Sequence, residues 1–259
     1  MSLVVLAYHC HPDYRLLLAG NRDEFHARPA AGVAWWPDLP GVLAGRDLAA
    51  GGTWLGVDRR GRLGVITNFR DPGAHRPDAP SRGALIPRFL AADAAATDFA
   101  PGLAAAAQPL SGFSLLLFDG EQLVFAANRP APRTRSLAPG IYGLSNHSLD
   151  TPWPKLERTR RRLVAAIAAG RPPPDRLLRL LRDREPAADH ALPDTGVGRE
   201  RERLLSSPFI VGDGYGTRCS TVVALGRDGT LRVDECRYAP DGEPVARTTV
   251  AFRTNGPAR

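Results

Sequence analysis

Four consecutive polar residues, Asn21-Arg22-Asp23-Glu24, follow an apolar run at positions 16–18 after one alanine and one glycine. Asn and Asp are good helix caps, so the ordinary interpretation of this tetrad is a helix start or a surface turn. At the end of a strand, the same amide, guanidinium and carboxylate groups can hold a carboxylate or stabilise an acyl oxyanion. The tetrad alone leaves both interpretations open.

Polar residues also border three further apolar runs, at positions 63–67, 141–144 and 221–223. Asn68 ends the first run, Asn146 follows the second and Arg218 precedes the third. A side-chain amide at a strand end can donate a hydrogen bond to an oxyanion, or it can simply cap a turn. We predict that these strand ends, together with the tetrad, form one site.

The second residue of the chain, Ser2, is small, and methionine aminopeptidase usually removes Met1 before a residue of this size. A chain that begins with Ser2 carries a hydroxyl nucleophile and an α-amine base in the same residue. A chain that keeps Met1 displaces the amine, and Ser2 is then an ordinary residue. The sequence leaves both alternatives open.

The composition indicates a folded protein and argues against several classes. With 43% hydrophobic and 24% charged residues in 259, the chain can bury a core. No apolar run approaches the ~20 residues of a membrane span and the N-terminus does not resemble a signal peptide, so we expect no stable membrane insertion. Three widely spaced cysteines, at positions 10, 219 and 236, favour reduced thiols and a cytoplasmic location.

The net charge of +7 does not by itself indicate nucleic-acid binding. Lys155 is the only lysine, and the arginines are spread along the chain among acidic residues. A nucleic-acid surface more often shows a clustered basic patch with aromatic residues, so we expect no nucleic-acid partner. His9 and His11 lie close together, but no second group of ligands has a fixed spacing from them, so we also expect no metal site.

The hydrophobic pattern predicts groups of strands with helices between them. Apolar runs separated by turn residues predict hairpins at 2–8 with 14–21, 53–58 with 62–69 and 114–118 with 122–127, and strands at 221–225, 231–238 and 244–253. Helices are predicted at 154–170, 176–184, 83–92 and 99–107. This order predicts one α+β domain over residues 1–259, with two antiparallel sheets and helices packed outside them.

The motifs, taken in order, resemble the NRDE family, also called the transport and Golgi organisation protein 2 family. The tetrad gives this family its name, and the other matching stretches are Pro29, 43–47, 51–56, 67–70, 144–146 and 216–218. These stretches extend over nearly the whole chain. One position departs from the pattern, because the family typically carries cysteine where this chain has Ser2.

The resemblance implies a fold and a set of catalytic residues. The family is similar to N-terminal nucleophile hydrolases, whose fold is a four-layer αββα sandwich of two stacked antiparallel sheets with flanking helices. Their nucleophile works beside an aspartate, asparagines that hold the oxyanion, and an arginine. The matching positions here are Ser2, Asp23, Asn68, Asn146 and Arg218. The Arg-Asn-x-Asp motif of that superfamily lacks its first arginine here, because Gly20 stands in its place.

The resemblance also implies a ligand. Family members are linked to haem trafficking and to acyl-CoA or lipid handling. The implied function is therefore a soluble protein of lipid or haem homeostasis that handles an acyl-CoA-like or haem-like molecule in a hydrolase-derived cleft. The expected ligand-binding residues are Asn21, Arg22, Glu24, Arg46, Trp54 and Arg70. No cofactor is required, and haem is expected only as a bound ligand, with the histidines at positions 9, 11, 26 and 147 as candidate axial donors. The alternative is an amide or thioester hydrolase or acyltransferase with Ser2 as its nucleophile.

Overall fold

Two antiparallel sheets form the centre of the computed structural model, which describes residues 1–74, 79–105 and 110–256. The strands are β1 (Leu3–Tyr8), β2 (Tyr14–Phe25), β3 (Ala30–Trp35), β4 (Val42–Asp47), β5 (Leu55–Asp58), β6 (Leu63–Asn68), β7 (Phe113–Phe118), β8 (Leu123–Ala127), β9 (Arg133–Leu137), β10 (Gly140–Leu144), β11 (Tyr215–Gly226), β12 (Thr230–Tyr238) and β13 (Pro244–Arg253). The six-stranded sheet has the order β10-β1-β2-β11-β12-β13. The seven-stranded sheet runs in sequence order from β3 to β9.

Helices cover the outer faces of both sheets. They are α1 (Leu85–Ala91), α2 (Ala96–Ala105), α3 (Pro154–Ala168), α4 (Pro174–Leu180) and α5 (Arg199–Leu205), with short 3-10 turns at Pro72–Ala74, Arg82–Ala84 and Asp189–Ala191. Prolines begin α3 and α4, where the missing N–H leaves no bond unmade. None of the helices in the described ranges is both long and apolar enough to span a membrane.

Three apolar layers hold the sheets and helices together. Alternate residues of β1 enter different layers: Val4 and Leu6 pack between the two sheets, whereas Leu3 and Val5 pack on the side of α3 and α4. A third layer joins the outer face of the seven-stranded sheet to α1 and α2. The order is helix, sheet, sheet, helix, which confirms the predicted αββα architecture.

Strands β2 and β11 pair along their length at the centre of the six-stranded sheet. Near the end of this pairing, Thr217 lies opposite Asp23 and Cys219 lies opposite Arg22. Arg218 is therefore an extra residue on β11, which is a β-bulge. A bulge changes which face of the sheet the following residues enter, so it affects the positions of side chains near the tetrad.

The predicted hairpins are confirmed, and the predicted helices correspond to α1, α2, α3 and α4 with ends shifted by a few residues. Positions 106 and 107 of the helix predicted at 99–107 lie outside the described residues. Strands β3, β4 and β9 and helix α5 were not predicted. The first two lie in a Gly- and Pro-rich segment that is typical of loops, and α5 consists largely of alternating arginine and glutamate.

Candidate functional site

The alternation of side chains along β2 divides the tetrad between the two faces of the six-stranded sheet. Asn21 and Asp23 lie on the side covered by α3 and α4, with Asn21 in contact with the chain that follows α4. Arg22 lies between the two sheets, its guanidinium carbon 4.3 Å from the centroid of the Trp54 ring. The four consecutive residues therefore serve two different environments.

Asn21 is fully buried, and the protein itself uses its amide. The Nδ2 atom donates to the carbonyls of Leu181 at 2.9 Å and Pro208 at 2.8 Å, and Oδ1 accepts from the Ser220 hydroxyl at 2.6 Å. Both amide hydrogens have partners, so neither is left for a ligand. In this structure Asn21 ties β2 to the segments that follow α4 and α5.

Asp23 has a buried carboxylate in which only one of the two oxygens accepts a hydrogen bond. Its side chain accepts a hydrogen bond from the Thr217 hydroxyl at 2.7 Å through Oδ1, while the buried Oδ2 has no hydrogen-bond partner. Burial raises the pKa of Asp23, and the nearby Lys155 ammonium opposes this change. A carboxylate in this state is suited to hold or accept a proton rather than only to bridge two strands.

The Ser2 hydroxyl lies beside Asp23. Its Oγ accepts a hydrogen bond from the Asp23 backbone N–H at 3.2 Å, and it also interacts with the Asp23 carboxylate. The Ser2 backbone is held on both sides, because its N–H donates to the Asn21 carbonyl at 2.9 Å and its carbonyl accepts from the Ser145 hydroxyl at 3.1 Å. The structure therefore brings together two of the predicted catalytic residues, Ser2 and Asp23.

Two further groups join this cluster, and sequence reasoning assigned a role to neither. Lys155, in the first turn of α3, is only 2% exposed. Burial and the charge of Arg70 lower the pKa of Lys155 to about 8, and Asp23 partly opposes this. Tyr215 interacts with the Ser2 hydroxyl, and burial together with the Asp23 charge raises its pKa. One signal could have found Lys155: it is the single lysine of a chain that otherwise uses arginine.

Met1 covers the start of β1. Its α-amino group donates to the Ile66 carbonyl of the seven-stranded sheet at 2.7 Å, and its side chain packs between the sheets against Gly20. A β-carbon at Gly20 would lie 2.7 Å from the Met1 methyl group, so this packing requires glycine. Burial and the charge of Arg22 lower the pKa of the Met1 amine to about 5.

The two predicted oxyanion donors contact each other. The Asn146 side chain donates through Nδ2 to the Asn68 carbonyl at 3.2 Å, and the Asn146 backbone adopts a left-handed conformation with φ of 53°. The Asn68 side chain is exposed at the end of β6, two residues beyond the carbonyl that binds Met1. Both residues therefore lie near the N-terminus, although the Asn146 amide already has a backbone partner.

Arg70 lies at the rim of the same cluster. Its guanidinium forms an ion pair with Glu202 of α5 at 2.7 Å and lies 4.7 Å from the centroid of the Trp153 ring. Its charge affects the pKa values of both Lys155 and Tyr215. Of the predicted ligand-binding residues, Arg70 is the one whose charge acts on Lys155.

Arg218, which we expected in one cleft with Ser2 and Asp23, lies beside Arg22, and its described hydrogen bonds go to backbone carbonyls rather than to the Asp23 carboxylate. Its Nη1 donates to the carbonyls of Phe25, the last residue of β2, at 3.0 Å and of His26, the first residue after β2, at 2.9 Å. The charge of Arg22 contributes to lowering the pKa of Arg218, behind burial. The bulge at Arg218 is the physical reason, because the extra residue gives Thr217, and not Arg218, the position opposite Asp23.

Arg46 and Glu24 are also engaged by other residues of the protein. Arg46 forms a two-bond ion pair with Asp38, at 2.6 Å for each bond, on the outer side of the seven-stranded sheet. The structure therefore does not bring Arg46 to the site, since its position on β4 faces away from the six-stranded sheet. Glu24 accepts from the Phe25 N–H at 3.0 Å and lies 3.8 Å from the Arg22 guanidinium.

The candidate haem ligands do not share a cavity. The rings of His11 and His26 each contact a backbone carbonyl, at 3.2 and 3.1 Å, and Nδ1 of His147 contacts the Thr151 hydroxyl at 2.9 Å. No histidine lines either of the two cavities described below. The described residues contain no group of three or more metal-ligating side chains. The rings of His11, His26 and His147 are therefore engaged by other groups of the protein.

Two cavities differ in size and position. A small one of about 20 Å³ lies between the sheets beside Arg22 and Trp54, with room for one water molecule. A larger one of about 420 Å³ lies beside Tyr14, Arg171 and Leu177. Tyr14 begins β2 and Asp23 lies near its end, roughly 30 Å away at ~3.3 Å per residue, so the larger cavity is separate from the Ser2 cluster.

The four layers, with the chain start at the end of a central strand beside a buried aspartate, define an αββα sandwich of two stacked antiparallel sheets with flanking helices. The family model "Transport and Golgi organisation 2" matches residues 1–240. The chain belongs to this family, which confirms the resemblance to the NRDE family.

Relatives of similar length support the assignment. The chain is 36% identical over 238 residues to the Transport and Golgi organization protein 2 homolog of Bos taurus, covering 86% of each chain. It is 33% identical over 238 residues to the homolog of Homo sapiens, with the same coverage. Among solved structures, it is similar to a Caenorhabditis elegans N-acylethanolamine-hydrolyzing acid amidase ortholog with a TM-score of 0.45 and 12% identity, covering 85% of this chain and 91% of that chain.

Proposed function

We propose that the protein is an acyl hydrolase that cleaves amides or thioesters, with Ser2 as its nucleophile after Met1 is removed. The observation that carries this proposal is the Asp23 carboxylate, which is buried beside the Ser2 hydroxyl with one oxygen unsatisfied. Leaving a buried carboxylate oxygen without a donor costs folding free energy, so it favours a functional role over a structural one.

A second buried aspartate of the same chain shows what a structural carboxylate looks like. Asp234 on β12 accepts two hydrogen bonds from Arg232, at 2.7 and 2.9 Å, and one from Thr249 at 2.7 Å. These partners lower the pKa of Asp234 despite its burial. Asp23 shows the opposite pattern, with its pKa raised and a free oxygen. The contrast supports a proton-handling role for Asp23.

The proposed reaction begins when removal of Met1 makes the Ser2 nitrogen a free α-amine. This nitrogen already lies 2.9 Å from the Asn21 carbonyl, so the new amine has a partner that fixes its position. With an ordinary pKa near ~8, it is partly unprotonated at neutral pH and can accept the proton of the Ser2 hydroxyl.

The Ser2 oxygen then forms a bond to the acyl carbon, and the carbonyl oxygen becomes an oxyanion that the amides of Asn68 and Asn146 can hold. When the tetrahedral intermediate collapses, the bond to the leaving nitrogen or sulfur breaks, and the leaving group takes the proton from the α-amine. Water then attacks the acyl-Ser2 ester, which releases the carboxylic acid and restores Ser2. Asp23 orients the amine, and the positive charge of Lys155 stabilises the ionised form of Asp23.

Ligand handling without catalysis is the second candidate function, and the position of Met1 favours it. A chain that keeps Met1 has its amine on the Ile66 carbonyl and no α-amine at Ser2. Such a protein could still bind an acyl-CoA-like or haem-like molecule. The cavity beside Arg22 and Trp54, at about 20 Å³, would have to widen greatly for either ligand. For either candidate we propose a cytoplasmic location, because the three cysteines are free thiols.

Intact mass and rapid-quench kinetics together test the two candidates. The mass shows whether Met1 is removed, and the processed protein is then mixed with an octanoyl thioester and with an N-octanoyl amide. We expect a stoichiometric burst of released thiol or amine that Ser2→Ala abolishes and Ser2→Cys keeps or increases, because a thiolate is the better nucleophile. Ser206→Ala, which removes a buried hydroxyl at the end of α5, is the matched control and should keep the burst. Absence of a burst in both the processed parent and Ser2→Cys would refute the hydrolase and leave ligand handling.

A further inference from the structure

The small cavity between the sheets has three arginines in its wall. Arg22 comes from β2, Arg218 from the bulge of β11 and Arg237 from the end of β12, and Trp54 and Glu235 line the same space. The sequence predicted Arg46, Arg70 and Arg218 as partners of Arg22 for an anionic ligand. The structure groups Arg22 with Arg218 and with Arg237, a residue for which no role was predicted.

Each of the three guanidinium groups is held in position by the protein. The ring of Trp54 lies under Arg22, and the Nη2 atom of Arg22 lies 3.5 Å from the Asp47 carboxylate. Arg218 is held by backbone carbonyls after β2, and Arg237 donates through Nη2 to the Ala30 carbonyl at 3.3 Å. These bonds leave part of each guanidinium unused. The clearest case is Nη1 of Arg22, which is buried and has no hydrogen-bond partner in the described structure.

The charges around the cavity do not balance. Arg22 is 4% exposed, so its unused N–H groups cannot turn to bulk water. After burial, the charges of Arg22 and Arg237 are the main causes that lower the pKa of Arg218, which shows that the three cations act on one another. The one carboxyl group in the cavity wall, Glu235, accepts from the Val33 N–H at 2.9 Å, and burial raises its pKa. Two acidic residues outside the wall, Asp47 and Glu24, lie near Arg22 but also form ion pairs with Arg28.

This cavity adjoins the start of the chain. Arg22 and Cys219, which line the cavity, are the two residues whose charges act most strongly on the Met1 amine. The Met1 side chain lies in the same layer between the sheets. Removal of Met1 would therefore add the space of its side chain to a cavity that now has room for one water molecule, beside the residue that becomes the new N-terminus.

We propose that Arg22, Arg218 and Arg237 form a carboxylate-binding subsite that selects acyl compounds carrying a carboxylate close to the amide or thioester bond. Planar guanidinium groups match a carboxylate through paired, charge-assisted hydrogen bonds, and a buried unused N–H makes such a bond stronger. N-acyl amino acids are the substrate class that fits, with the carboxylate at the arginines and the acyl carbon at Ser2. The selection of a substrate rests on the proposed hydrolase function, whereas the binding of the carboxylate does not.

The test uses Ser2→Ala protein with Met1 removed, so that binding is measured without turnover. Calorimetry compares N-octanoylglycine with N-octanoylglycinamide, which has the same length but no charge. We expect N-octanoylglycine to bind about tenfold to a hundredfold tighter, and the difference to shrink at high salt. Arg237→Gln and Arg218→Gln should each reduce the preference at least severalfold. Arg46→Gln, on the far side of the seven-stranded sheet, is the matched control and should keep it.

Equal affinity for the two compounds would overturn the proposal, and so would a preference that survives both Arg237→Gln and Arg218→Gln. Circular dichroism of each variant shows that it is folded, and Arg22 is left unchanged because its burial makes a folding defect expected. A burst with neutral acyl amides but no carboxylate preference would leave the hydrolase function intact while removing the subsite. A carboxylate preference without any burst would support the subsite and refute the hydrolase function.

Discussion

Replacement of Lys155 by methionine should remove a buried charge that destabilises the fold at neutral pH. The lysine is 2% exposed, and burial together with Arg70 lowers its pKa from 10.5 to about 8. At ~1.4 kcal/mol per pH unit, this interval corresponds to roughly 3 kcal/mol of free energy spent on keeping the amine protonated in the folded protein. Methionine has a similar length and no charge, so it can fill the same space.

The pH range of this effect follows from the sign of the shift. Between pH 8 and 10.5 the unfolded chain holds the Lys155 proton and the folded protein does not. The free energy of unfolding therefore rises with pH across this window. Below pH 8 the protonated, buried Lys155 destabilises the folded protein by the full amount. Tyrosine and cysteine side chains with raised pKa values, such as Tyr238 and Cys219, act in the opposite direction near the top of the window. These groups are common to the parent and the variant, so their effects cancel in the difference between the two.

Urea unfolding of the parent and Lys155→Met at several pH values from 7 to 10.5 measures this difference. We expect the parent to gain about 3 kcal/mol relative to the variant across the window. A second assay is direct, because a protein with one lysine gives one resonance when it is made with lysine labelled at the ε-carbon. Parallel stability curves, or a lysine resonance that titrates near 10.5, would refute the assignment of Lys155 to a buried charged cluster.

Three further predictions concern other residues of the site. Asn21→Ala should lower the free energy of unfolding by roughly 2–4 kcal/mol in urea, since it leaves buried backbone carbonyls without donors; a loss below about 0.5 kcal/mol would contradict this. Asp23→Asn should keep the fold and abolish the acyl burst, whereas the control Asp234→Asn should destabilise the protein and leave the burst per folded chain unchanged. A chain that keeps Met1 should gain stability as the pH rises from 5 to 8, by up to roughly 4 kcal/mol, because its buried amine loses a proton that the unfolded chain keeps; the same slope in a chain without Met1 would show that the cause lies elsewhere.

Much of the fold could be predicted because its strands follow simple patterns. Hairpins such as β7 and β8 consist of apolar runs around an Asp-Gly turn, and burial on both faces makes these runs continuous. Strands β3 and β4 could not be found in this way. Their segment is rich in glycine and proline, and the pairing of β3 with β4 and of β4 with β5, rather than local propensity, makes them strands.

The site was predictable at the level of motifs and less so at the level of side-chain positions. Ser2 and Asp23 meet because their strands pair, which a motif at the end of β2 already suggests. A single extra residue in β11 changes the position of Arg218, and no sequence pattern shows where a bulge falls. Lys155 was missed because a lysine in the first turn of a helix is usually exposed, and only tertiary packing buries it.

The central claim, that Ser2 forms an acyl-enzyme, is tested most directly by mass spectrometry of protein quenched milliseconds after mixing with an octanoyl thioester. We predict a chain without Met1 that carries one octanoyl group, located on Ser2 by peptide mapping, and no such adduct in Ser2→Ala. A chain that keeps Met1, or a processed Ser2→Cys protein that never carries the acyl group, would contradict the claim.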